Sequence, residues 1–164
     1  CVATGIFGIG RKIPMNRVND LGQREGYWRD SLGEGITHEL YYKGGKKDGL
    51  YKRFYRNKLF LFGEYTADNI SGTWYMFGDE GELRCTIDSI ELNKDSIYTG
   101  YCRIFCKYKC YCADYYPSGA VKSEGYMVCD EDFMVDFWEI GEWKYYDESG
   151  NLIKTKDYGD RRTP

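Results

Sequence analysis

Seven cysteines are the densest stock of reactive side chains in this 164-residue sequence: Cys1, Cys85, Cys102, Cys106, Cys110, Cys112 and Cys129. Four of them fall in the run CRIFCKYKCYC, which has enough sulfur for a thiolate metal centre. Its spacing lacks the paired C-x2-C knuckles that bring two sulfurs to one ion in the familiar zinc forms. Read as a strand, positions 102, 106, 110 and 112 share one parity and hence one face, together with Ile104 and Tyr108. Buried free cysteines behave as small hydrophobes, and that is the first reading. Disulfides from this face to Cys85 or Cys129 on neighbouring strands, and a thiolate metal site, stand as alternatives.

Other catalytic material is thin. The single histidine, His38, sits in the strand-like segment GITHELYY with no serine or cysteine motif beside it. Asp130, Glu131 and Asp132 are consecutive in CDEDF and read as a charged loop rather than an opposed acid–base pair. No GxSxG, HExxH or P-loop occurs, and GIFGIGRK has glycines without a strand–turn–helix context. The expectation is a non-enzymatic protein with no catalytic residue, no cofactor and no metal.

Cys1 carries a different chemistry. A mature bacterial lipoprotein starts with the cysteine left by signal-peptide cleavage, so Cys1 is expected to be lipidated, with residues 1–18 as a tether to the outer membrane of a bacterial envelope. The six remaining cysteines, an even number, would suit an oxidising compartment. Membrane contact is expected only through that lipid, because no segment is apolar for long enough to span a bilayer.

The elements that position these groups follow from a second pattern. The stretch YYKGGKKDGLYKRFYRNK, residues 41–58, interleaves aromatic and basic residues as single-strand nucleic-acid binders do. The whole chain nevertheless has 26 acidic against 23 basic residues, a formal charge of −3, which argues against a polyanion partner. A repeat explains the stretch better. Gly26, Gly49 and Gly72 are spaced 23 residues apart, and Gly141 lies three such periods beyond Gly72.

Two residues after each glycine stand Trp28, Tyr51, Trp74 and Trp143, and one residue later Arg29, Lys52, Tyr75 and Lys144. Adjacent strand positions point to opposite faces, so an aromatic ladder on one side backs a largely basic row on the other. Polar turns follow, RNK before LFLFGEYT, GDEGE before LRCTI, PSG before AVKSEGYM and DESG before NLIKTKDY, which read as hairpin turns. With 17 Tyr, 8 Phe, 20 Gly and only 3 Pro, the composition suits many short twisted strands. Each unit is too small to bury its own face, so units must stack edge to edge. The expected fold is all-β: repeated antiparallel β-hairpins in an elongated, twisted, largely single-layer sheet.

Units such as YYKGGKKDGLYKRFY, SGTWYMFGDEGEL, DYYPSGAVKSEGYM and IGEWKYYDESGNLIK resemble MORN-type repeats, in the variant found in bacterial proteins of the YwqK-like "antitoxin component" family. The resemblance spans residues 19–159, within a repeat domain taken as 19–164, and is degenerate near 86–113. It implies a scaffolding or binding sheet without common catalytic residues. The function expected is a non-catalytic protein-interaction module, a lipid-anchored accessory subunit of a bacterial envelope complex. The alternative is an immunity protein that neutralises a toxin by direct binding, which the family name implies. Lipid-surface binding, associated with some MORN proteins, is disfavoured by the acidic charge. The expected partner-binding face carries Lys52, Phe54, Tyr75, Phe77, Lys144 and Tyr146, since aromatic and cationic side chains together are typical of interface cores.

Overall fold

A computed structural model describes residues 15–94, 106–130 and 137–159. Eleven strands occur among them: β1 Arg17–Val18, β2 Arg24–Gly33, β3 Ile36–Lys43, β4 Lys46–Tyr55, β5 Lys58–Thr66, β6 Asn69–Phe77, β7 Leu83–Leu92, β8 Tyr108–Tyr115, β9 Val121–Cys129, β10 Phe137–Tyr146 and β11 Leu152–Asp157. They form one open antiparallel sheet in which spatial order is chain order. No helix is present among the described residues. Every substantial strand contact is with a sequential neighbour, so the sheet is a single layer.

Turn chemistry sets this order. The links β3–β4, β4–β5 and β5–β6 are two-residue turns whose central residues all have positive φ: Gly44–Gly45, Arg56–Asn57 and Ala67–Asp68. That is the type I′ geometry, whose twist matches the strands it joins. Asp68 also ties its turn to the next hairpin, accepting from the Lys47 backbone N–H at 2.8 Å and donating its own N–H to the Lys47 carbonyl. Longer links, GDEGE, YPSGA and DESGN, share one five-residue form. In each the first N–H reaches the fifth carbonyl and the fourth N–H reaches the first carbonyl.

Three of the repeat glycines, Gly49, Gly72 and Gly141, sit at ladder slips. Gly72 has φ +65°, where the ladder between β5 and β6 slips from Phe62↔Tyr75 to Glu64↔Ser71. Its equivalents Gly26, Gly49 and Gly141 also have positive φ. At two of the repeat glycines the preceding carbonyl accepts from the following tryptophan: Trp74 Nε1 donates to Ser71 O at 3.1 Å and Trp28 Nε1 to Glu25 O at 3.3 Å. Trp143 Nε1 instead donates across the ladder to Tyr126 O at 2.8 Å. A buried indole N–H is satisfied each time.

One face of this single layer becomes a core. Trp74 is 1% exposed, Trp143 4% and Tyr51 6%, while Trp28 near the sheet edge is half-buried. They are covered by lying along the sheet on one another: Tyr51, Tyr65 and Trp74 form a triangle of rings with centroids 5.2–5.6 Å apart. Space for the indoles comes from glycines on the neighbouring strand. A Cβ at Gly63 would fall inside the Trp74 ring, and one at Gly125 inside the Trp143 ring.

The degenerate stretch keeps its place in the sheet. β7 and β8 pair from Cys85↔Asp114 to Leu92↔Tyr108, with one slip between Asp88 and Glu91. The single-face reading of the cysteine run holds for Cys110 and Cys112 but not for Cys106. That residue precedes β8, so strand parity does not govern it, and it packs with Val128 and Ile140 on the face opposite Met127 and Cys129. The Asn93 amide, donating to the Cys106 carbonyl at 2.8 Å, holds it there. Cys1 and Cys102, with Glu131 and Asp132, lie outside the described residues.

Candidate functional site

Opposite the tryptophans, one cross-strand row runs through the sheet without a break. Arg29, Glu39, Lys52, Phe62, Tyr75, Thr86, Ala113, Glu124, Lys144 and Thr155 are successive Cα partners from β2 to β11. The residues one step after each repeat aromatic therefore stand in line, because the aromatic ladder on the other face fixes the register. Directly opposite residues on one face are the pairs that interact in a sheet. Phe62 and Tyr75 do so with centroids 6.0 Å apart, and the Arg29 guanidinium lies 3.8 Å from the Glu39 carboxylate.

Both acids of the row are engaged by tyrosines. Tyr146 donates its hydroxyl to Glu124 at 2.6 Å, which holds the phenol above its usual pKa. Burial and then Glu124 push Tyr111 up to about 12, and burial and then Glu39 do the same to Tyr27. Among the described residues neither Lys52 nor Lys144 makes an ion pair. The face thus presents half-buried rings at Phe62 and Tyr75, with Lys52 opposite Glu39 and Lys144 opposite Glu124 further along the row.

Of the residues expected to form a partner-binding face, Lys52, Tyr75 and Lys144 are members of this row, with Phe54 and Tyr146 two positions along β4 and β10. Phe77 also lines the groove beside Met76 and Cys85. Phe54, Phe77 and Tyr146 each follow a ladder slip at the equivalent position of their strands.

That groove, about 560 Å³, runs over β5 to β10 between Phe60, Met76, Ile87, Met127, Phe137 and Trp143. Cys85 and Cys112 line it, and a second thiol pair lies outside its lining. Cys85 Sγ and Cys112 Sγ are 3.3 Å apart, and Cys110 Sγ and Cys129 Sγ are 3.5 Å apart, all four buried. Each pair joins adjacent strands with the same diagonal offset. The partner thiol, then burial, pushes the pKa of Cys85 and of Cys110 well up, so these sulfurs hold their protons. Among the described residues one group could hold a metal: Cys85, Cys112 and Asp114, whose ligand atoms lie within 4.8 Å of one another. The sequence run hid it, since Cys85 lies far outside CRIFCKYKCYC and only the β7–β8 register brings it in.

His38 is part of the core's margin. Its Nε2 lies 3.4 Å from Asp30 Oδ2 and its ring meets Tyr51 edge-on. Burial lowers its pKa despite Asp30. Its hydrogen-bond partner is thus a carboxylate and its ring partner a phenol. No family model, curated protein or solved structure matches the chain.

Proposed function

We propose that the chain is a MORN-type repeat sheet that works as a non-catalytic protein-interaction module, docking its partner on the Lys52–Tyr75–Lys144 row. The observation that carries this reading is the row itself: a straight line of side chains in which both acids are engaged by tyrosine hydroxyls and, among the described residues, Lys52 and Lys144 make no ion pair. Rings and cations on one row suit a partner surface that is acidic with apolar side chains at its centre. Such a complement steers the encounter and excludes basic surfaces. Affinity would come from the central rings, and the lysines would contribute rate and salt dependence.

A second reading, neutralisation of a toxin by direct binding, draws on the acid excess of the whole chain. The two readings are separated by capture from native cells with the intact protein and with a Lys52→Glu/Lys144→Glu variant. Loss of one membrane-complex partner in the variant supports the accessory-subunit reading. Capture of a secreted basic protein, unaffected by the variant, would replace it with the second.

A further inference from the structure

We propose that Cys85, Cys112 and Asp114 form a binding site for a thiophilic divalent cation of the zinc class. The three come from adjacent strands with one register. Cys85 is the direct cross-strand partner of Asp114, and Cys112 lies two positions before Asp114 on the same face of β8. Their ligand atoms fall within 4.8 Å of one another, so a single ion can reach all three.

The sulfur separation favours a metal over a disulfide. Two thiolates about 2.3 Å from a tetrahedral zinc stand about 3.8 Å apart. From 3.3 Å the pair would open by about half an ångström. A disulfide requires about 2.05 Å and a closure more than twice as large. The carboxylate is the second discriminator. A disulfide has no use for it, whereas a cation needs its charge. Ser123, itself buried, donates its hydroxyl to Asp114 Oδ2 at 3.0 Å and so orients the ligand, as outer-shell partners of metal sites do.

Two thiolates and one carboxylate select the cation by softness. Magnesium and calcium take oxygen ligands, while zinc and cadmium accept sulfur. Binding one dication releases the two thiol protons and leaves a site of net charge −1. The groove supplies the fourth position as water, since all three ligands line it, and Ile87, Met127 and Trp143 form apolar walls around them. The second thiol pair is a built-in control. Cys110 and Cys129 lie at a similar distance, yet no carboxylate or histidine joins them within that reach among the described residues.

The test is titration of the full, reduced chain with cobalt(II), followed by displacement with zinc. Thiolate-to-cobalt charge transfer should appear, saturate at about one equivalent and vanish on adding zinc. Cys129→Ser should leave it intact. Cys112→Ser should abolish it, and Asp114→Asn, which keeps the shape of the side chain, should weaken binding at least about tenfold. Far-ultraviolet circular dichroism of each variant checks that the sheet is retained. Absence of the band in the reduced wild-type chain would overturn the proposal. So would its persistence in Cys112→Ser, or its dependence on Cys129 in place of Asp114. A Cys85–Cys112 disulfide that forms in air, in a chain that binds no cobalt once reduced, would identify a redox pair and equally overturn it.

Discussion

Trp74 lies directly over Gly63, its neighbour on the adjacent strand, so closely that glycine is the only residue the ring admits there. This contact lets a sheet one layer thick bury a tryptophan to 1% exposure. Trp143 and Gly125 repeat it four strands later in the same role. Ring-over-glycine packing fixes the register, and the register in turn lines up the opposite face.

Gly63→Ala is therefore expected to destabilise the protein by about 1–3 kcal/mol through overpacking. In a Trp74→Ala background the same change should cost far less, because the clash is gone. Urea melts of the double-mutant cycle measure the coupling, and additive costs would contradict the packing described.

Trp74→Ala alone should cost about 3–5 kcal/mol, as expected for a fully buried large aromatic. Trp28→Ala should cost clearly less, since Trp28 is half-buried near the edge of the sheet. Equal losses in thermal or urea unfolding would mean that the ladder is not graded by burial.

Gly72 differs from Gly63 in kind. Nothing but the far end of Glu64 approaches its Cβ position, yet its φ is +65°. Gly72→Ala should cost about 1–2 kcal/mol from backbone conformation alone. Gly72→Asn should recover part of that, because Asn tolerates the left-handed region. If alanine and asparagine melt alike, conformation is not what the position requires.

His38 makes the fold sensitive to acid. Its folded pKa is held below the usual value of about 6.5, first by burial, so the neutral ring is the folded form. As pH falls below about 6.5 the unfolded chain takes up the proton first, and stability drops until the lower folded pKa is passed. Above about pH 6.5 the contribution is complete. The loss of melting temperature between about pH 7.5 and pH 5 should be smaller in His38→Gln than in wild type, the carboxylates being common to both. Identical slopes would remove His38 from the account.

Much of this architecture is legible in the sequence because it repeats. The spacing of Gly26, Gly49 and Gly72 marks a recurring positive-φ position, and GDEGE and DESG mark turns of one form. What a repeat cannot convey is which residue of the next strand lies beneath each ring. Gly63 and Gly125 look like ordinary mid-strand glycines in LFLFGEYT and KSEGYM until the pairing is known. Parity also misleads just outside a strand. Cys106 precedes β8 and turns to the other face. The Cys85–Cys112 pair depends on how β7 meets β8 across a long connection, which local spacing does not encode.

The most direct test of the docking row is a photo-crosslinking side chain placed in native cells at position 75, on the row, and in parallel at position 60, in the groove. The account predicts a crosslinked partner from position 75 that is lost in the Lys52→Glu/Lys144→Glu background, with none from position 60. A partner crosslinked from position 60 and not from 75 would contradict it, and would move the interaction to the tryptophan face.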